Sequence, residues 1–265
     1  MATPLTLHIT GQDIHLTATP LEQSSFAPFG DVIENPRPDL HPSSAFTSPS
    51  PLPFNAIPAN QGTAIKYQHV THLTNLYPSA PSGHPGVPSS SLFSCAAAAT
   101  PAPSRGSSSS LVLLPIRILE RHPFTSQTFI PLGAGHRHSR HRYLVVVAPS
   151  LPPGGPDDGV LLLPVPGRGR GLPDVRGLRA FVGSAGQAVT YGAGTWHAPM
   201  VALAGGPGRE GDGGGVVDFV VVQFANGVGV EDCQEVVLAG SDSGGEGAAK
   251  VWVRIPERGD VAARL

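Results

Sequence analysis

A glycine-punctuated turn, Tyr191-Gly192-Ala193-Gly194, delivers Thr195-Trp196-His197 directly after a β-rich run. Upstream, Glu120-Arg121-His122-Pro123-Phe124-Thr125-Ser126-Gln127 brings a carboxylate, an imidazole and an amide close together in sequence. Such groups can move protons near neutral pH, or offer nitrogen and oxygen ligands to a divalent ion. If both segments sit at strand ends of one β-barrel, their side chains converge on a single cavity, an arrangement commoner in enzymes than in scaffolds.

The elements that must hold these residues are short strands. Residues 111–119, 142–148, 160–165, 178–182, 187–191, 216–224 and 251–255 are β-branched or apolar runs bounded by Gly and Pro. Residues 5–9 and 14–18 alternate around Gly11-Gln12-Asp13 and predict a hairpin or two early strands. Thr19-Pro20-Leu21-Glu22 predicts a helix start, with Thr19 as cap and Pro20 at the first helical position. No stretch between 110 and 260 has a helical period. The expected fold is mainly β, a sandwich or small barrel with few short helices.

Alternation along Ile116-Arg117-Ile118-Leu119-Glu120-Arg121-His122 puts Ile116, Ile118, Glu120 and His122 on one face, and the two isoleucines mark that face as the inward one. An inward Glu120 needs a metal, a cation or a hydrogen-bonded substrate. Exposure at the strand end, or pairing with Arg117 and Arg121, is the other reading this strand allows.

Composition narrows the classes. The chain has 265 residues, 33 Gly, 29 Pro and a formal charge of −2. The glycines and prolines concentrate in a few segments, so one domain spanning 1–265 with long insertions is expected, the insertions near 78–110, 133–142 and 205–215. Residues 36–53 and 78–110 should be surface loops or disorder. No basic face supports nucleic-acid binding. No run approaches the roughly 20 apolar residues of a membrane span, and no secretory leader is visible. Cys95 and Cys233 form neither a metal pair nor a disulfide framework and are read as reduced. The expected compartment is cytoplasmic, or peroxisomal if the tail Ala263-Arg264-Leu265 acts like a Ser-Lys-Leu address.

The spacings resemble those of cupins, whose first motif is His-x-His followed by Glu and whose second is Pro-x-Gly-x-x-His after a glycine. Glu120-x-His122-x4-Gln127 has the first spacing, with Glu and Gln replacing the outer ligands. Gly186, then Gly192-x-Gly194-x-x-His197, has the second, with Gly in place of Pro. The wording is similar to that of the ureidoglycolate lyase family. The similarity is carried by Glu120-Arg121-His122-Pro123, Ser126-Gln127-x-Phe129-Ile130-Pro131, Leu178-Arg179-Ala180-Phe181-Val182, Tyr191-x-x-Gly194-Thr195-Trp196-His197 and Asp218-Phe219, and also by the run from Phe26 to Glu34 and Asn60-Gln61-Gly62-Thr63-Ala64. These motifs span residue 21 to about 237. The loops at 78–110, 133–142 and 205–215 look longer than in compact bacterial members, and nothing is carried onto them.

The resemblance implies a cupin-type, double-stranded β-helix or jelly-roll barrel. It implies cleavage of (S)-ureidoglycolate to glyoxylate and urea, and a homodimer. The chemistry needs a base for the carbinolamide hydroxyl and an acid for the departing urea nitrogen. Glu120 and His122 are the candidates for that proton traffic, without assignment between them. His197 would ligate a divalent metal or donate a hydrogen bond to the substrate. Gln127 would orient the ureido group or ligate weakly, and Lys66 would face the substrate carboxylate or simply be solvated. Tyr191 and Trp196 would wall the pocket or serve the core. A divalent ion, nickel or another, on Glu120, His122, Gln127 and His197 is one reading, and a polar substrate pocket in its place is the other.

His136-Arg137-His138-Ser139-Arg140-His141 resembles a metal tract in composition, but its arginines would repel a cation, so a solvated basic loop is expected, as turn roles are for Asp157-Asp158 and Asp242. Two rivals to a lyase are another cupin enzyme, such as a metal-dependent oxygenase or sugar isomerase, and a non-catalytic cupin that binds a small ligand.

Overall fold

The computed structural model describes residues 4–47, 50–98, 112–133, 142–152, 163–166, 171–203, 215–240 and 250–256. The N-terminal part contains β1 (Leu5–Ile9), β2 (Ile14–Thr17), β3 (Thr19–Pro20), the single-turn helix α1 (Gln23–Phe26), β4 (Gly30–Ile33), β5 (Ile57–Ala59), β6 (Ala64–Lys66) and β7 (Val87–Ala96). Then come β8 (Val112–Ile116), β9 (Ile118–Arg121), β10 (Gln127–Pro131), β11 (Arg142–Ala148), β12 (Arg179–Ser184), β13 (Ala188–Tyr191), β14 (Trp196–His197) and β15 (Val201–Leu203). The C-terminal part holds β16 (Val216–Ala225), the one-turn α2 (Gly229–Asp232), β17 (Gln234–Gly240) and β18 (Val251–Ile255).

The fold is mainly β and of jelly-roll type. An eight-stranded sheet, in the order β1-β17-β9-β14-β11-β12-β3 with β15 also on β11, faces a five-stranded sheet in the order β4-β13-β10-β16-β7. Its other face is covered by the three-stranded sheet β2-β18-β8. The central strand β11 explains why both faces must be apolar. Leu144, Val146 and Ala148 enter one core with Leu119, Trp196 and Val253, while Tyr143, Val145 and Val147 enter the other with Phe129, Val189 and Phe219. A strand covered on both faces reads as an unbroken apolar run, as Tyr143-Leu144-Val145-Val146-Val147-Ala148 does.

Several expectations are corrected. Thr19-Pro20 does not start a helix: it is an edge strand parallel to β12, with Thr19 opposite Phe181. The helix begins after Glu22 and lasts one turn, because Phe26 must turn into the core, where it is fully buried. The two early strands form no hairpin, since β1 pairs with β17 and β2 with β18, both in parallel.

Residues 87–96, expected as part of a loop, form β7, which pairs with β16 from Val87↔Ala225 to Ala96↔Val216. Its Ser-rich sequence carries no apolar period because the backbone ladder, not side-chain burial, holds this edge strand. Strand β17, absent from the sequence reading, lies beside β9. The helical turn α2 also falls in a region expected to have none.

The run 111–119 is two strands in different sheets, broken at Arg117. Arg117 and Ile118 are both exposed, so the alternation slips by one residue there. Leu119 and Arg121 therefore continue the buried face of Leu114 and Ile116, and Glu120 shares a face with exposed Ile118. The expectation that Ile118 marks an inward face is overturned, yet Glu120 is still largely buried, because its register partner on the neighbouring strand is the buried His197.

The expected strand 160–165 lies largely outside the described residues, as do His136 to His141, Asp157, Asp158, Asp242 and the tail Ala263-Arg264-Leu265. Among the described residues no helix is long and apolar enough to cross a membrane.

Candidate active site

The two motifs noted in the sequence meet as neighbouring strands. Glu120 on β9 is the register partner of His197 on β14, and His197 is in turn paired with Val147 on β11. The turn before His197 is locked from several sides. Gly194 N–H donates to the His122 carbonyl (2.8 Å), Thr195 N–H to the Gly192 carbonyl (3.0 Å), and the Thr195 hydroxyl to the Phe29 carbonyl (3.0 Å). Gly194 sits at φ +75°, and a Cβ there would lie 2.5 Å from a Val165 methyl. Only glycine meets both conditions.

Trp196 and His197 point to opposite faces, as neighbours in a strand must. His197 turns into the barrel and lies on the Tyr191 ring, with centroids 3.9 Å apart and planes 2° from parallel. Its own ring is 5.6 Å from that of His122. Trp196 turns the other way into the core, donates from Nε1 to the Gly171 carbonyl (3.2 Å) and lies under the Arg121 guanidinium, 4.6 Å from its ring centroid. The tryptophan thus braces the strand from behind and is not brought to the cluster.

Each imidazole is oriented by a backbone carbonyl. His122 Nδ1 is 2.6 Å from the Asp232 carbonyl and His197 Nδ1 is 3.2 Å from the Ala198 carbonyl. Both carbonyls can only accept, so Nδ1 carries the hydrogen and Nε2 keeps its lone pair. The carbonyl facing His122 is itself held, because the Asp232 carboxylate accepts from the Tyr77 hydroxyl (2.6 Å) and from the Asn226 and Gly227 amides.

Gln127 and Tyr191 complete the opposite wall. They are register partners on β10 and β13. Gln127 Nε2 donates to Gln223 Oε1 (2.8 Å). Five buried side-chain polar atoms lack a hydrogen-bond partner among the described residues, and four of them are His122 Nε2, His197 Nε2, Gln127 Oε1 and Tyr191 OH. Buried polar groups are normally paired, so four unpartnered atoms in one place set this cluster apart from the rest of the described interior.

The electrostatics follow from burial. Glu120 is pushed up to about 7, by desolvation first and then by Glu235, its partner across β9 and β17. His197 is pushed down to about 3, by desolvation and then by His122, and burial lowers His122 as well. Both rings are therefore neutral at physiological pH. One ring nitrogen from each, with a Glu120 oxygen, forms a group whose ligand atoms lie within 4.8 Å of one another, and His197 Nδ1 is 3.8 Å from Glu120 Oε1. Two neutral imidazoles with free Nε2 lone pairs, each Nδ1 tied to a carbonyl, and one carboxylate fit a divalent cation.

Of the candidates, the structure brings Glu120, His122, Gln127, Tyr191 and His197 together. Lys66 ends β6 in a separate two-stranded sheet, exposed, with no hydrogen bond or ion pair to the cluster. Sequence reasoning missed Gln223, Glu235 and the Asp232 carbonyl. The run Gln234-Glu235-Val236-Val237-Leu238 carried a strand signal that would have put Glu235 beside Glu120. Nothing in sequence marks a backbone carbonyl as an imidazole's partner.

A family model described as ureidoglycolate lyase matches residues 13–242. Relatives named ureidoglycolate lyase include one from Schizosaccharomyces pombe, 31% identical over 82% of this chain and 88% of its own length. One from Saccharomyces cerevisiae is 37% identical over 55% of this chain and 62% of its own. One from Burkholderia mallei is 31% identical over 78% and 81%.

Proposed function

Because this chain belongs to the ureidoglycolate lyase family, we propose that it cleaves (S)-ureidoglycolate to glyoxylate and urea. The observation that carries the reading is the convergence of His122, His197, Gln127 and Tyr191, each with an unpartnered buried polar atom, around Glu120. The substrate offers a matching set of groups: a hydroxyl, a carboxylate and a ureido group with both donors and an acceptor.

His122, His197 and Glu120 would hold a divalent cation. When bound, it would supply Lewis-acid polarisation of the substrate's oxygens. The proton balance is simple. The carbinol O–H loses its proton, the carbonyl forms from that bond's electrons, the carbon–nitrogen bond breaks and the urea nitrogen gains a proton. One proton moves from oxygen to nitrogen, so a single group that accepts and then returns it suffices. We assign that transfer to Glu120. It lies at the opening of the cluster with its side chain 19% exposed, whereas both imidazoles are oriented by carbonyls and held neutral. A carboxylate has two oxygens, so one can ligate while the other takes the proton. Gln127 orients the ureido group, Tyr191 holds the His197 ring and offers its hydroxyl to the substrate, and burial of the cluster excludes water.

The resemblance also supports a homodimer, and an exposed apolar row on the outer face of the five-stranded sheet suits one. Leu92 and Ile130 are both register partners of Val220 and are both exposed. Light scattering of the purified protein tests this. The activity is tested by measuring urea and glyoxylate from racemic ureidoglycolate, with and without chelator. Glyoxylate no faster than spontaneous breakdown in either condition rejects it.

A further inference from the structure

The inner face of the five-stranded sheet is apolar in its depth and polar at one end. Phe129, Val189, Phe219 and Val221 belong to the core, while Tyr191, Gln127 and Gln223 occupy one cross-strand row. Gln127 donates from Nε2 to Gln223 Oε1, which leaves Gln127 Oε1 on the His122 side, buried and without a donor. An amide freed from Gln223 could turn over and donate to His122 Nε2 instead, which would present an N–H where an oxygen now stands. The hydrogen bond to Gln223 holds the Gln127 Nε2 away from His122, so that the amide oxygen is the end that faces the cluster.

We propose that Gln223 is a specificity-determining positioning residue, fixing the Gln127 amide so that its oxygen accepts from the terminal N–H of the substrate's ureido group. The inference rests on the ureidoglycolate reading and adds to it the reason a ureido group is selected. A substrate with a methyl in place of the terminal amine has the same shape and no donor. It leaves Gln127 Oε1 unpaired in a buried site, and sites built around a hydrogen bond reject analogues that lack it far more strongly than apolar pockets reject a change in size.

The test compares kcat/KM for ureidoglycolate with that for N-acetyl-2-hydroxyglycine, which releases glyoxylate and acetamide by the same bond cleavage. The ratio is taken on one preparation, so a partly unfolded variant lowers both values and leaves it unchanged. The wild-type protein prefers the ureido substrate by about a hundredfold or more. Gln223→Leu, which removes the acceptor, brings the preference down to about tenfold or less. Gln223→Glu, which keeps only acceptors at this position, retains it. An unchanged preference in Gln223→Leu overturns the inference, as does its loss in Gln223→Glu. Equal turnover of both substrates by the wild-type protein also overturns it while leaving the lyase reading intact. Glyoxylate from neither substrate removes the lyase reading itself.

Discussion

The His197 imidazole lies flat on the Tyr191 ring, 3.9 Å between centroids and 2° from parallel, while the Tyr191 hydroxyl finds no partner among the described residues. The ring and the hydroxyl thus serve different ends. Tyr191→Phe keeps the stack and removes a buried orphan that costs about 1–3 kcal/mol. It should raise the melting temperature by a few degrees, seen by calorimetry, and raise KM for ureidoglycolate about tenfold. A hydroxyl without substrate contact would leave KM where it is.

Glu120→Gln should lower turnover by about a hundredfold or more, the usual scale for removing a positioned proton-transfer group, and His122→Ala should lower it by a similar factor because it removes one of the three side chains that would hold the cation. Steady-state release of glyoxylate by variants of verified fold checks this.

In chelator-treated protein, Glu120 makes stability depend on pH. Its native pKa, about 7, lies above the ordinary 4.5 because burial disfavours the carboxylate. Between those values the native state binds more protons than the unfolded state, so stability falls as pH rises through this window. Glu120→Gln lacks that loss. Its melting temperature should exceed the wild type's at pH 8 and match it at pH 4, measured without metal.

Arg121 has no carboxylate partner among the described residues. It donates to Gln234 Oε1, the Gly171 carbonyl and the Leu163 carbonyl, each within 3.1 Å, and covers Trp196. Lysine cannot reproduce this planar fork. Arg121→Lys should lower the melting temperature by roughly 5 °C or more, since each acceptor left unpaired in the core costs about 1–3 kcal/mol.

Gly194→Ala should destabilise the protein and weaken Ni²⁺ binding together, because the same turn that rejects a Cβ aims His197. Calorimetry and metal titration on one sample separate this from a local effect on either alone.

Much of this was legible in the sequence, for identifiable reasons. Motif spacing across Glu120, His122, Gln127 and His197 survives because the residues sit on paired strands or on the ends next to them, where separation along the chain fixes separation in space. Strand 142–148 was legible with both its ends because burial on two faces leaves a continuous apolar signature. Strand β7 was hidden because an edge strand held by its backbone needs no such signature. The face of Ile118 was misread because one extra residue at Arg117 reverses the alternation, and no side chain announces a slip. Trp196 shows the same limit, since its place behind the site follows from the parity of a two-residue strand.

The most direct measurement is the initial rate of glyoxylate and urea release from (S)-ureidoglycolate by the wild-type protein and by Glu120→Gln at equal concentration. The account predicts equimolar products well above spontaneous breakdown for the wild type, and loss of about a hundredfold or more of that rate in the variant. Products at the spontaneous rate from the wild-type protein, or an undiminished rate from Glu120→Gln, would contradict it.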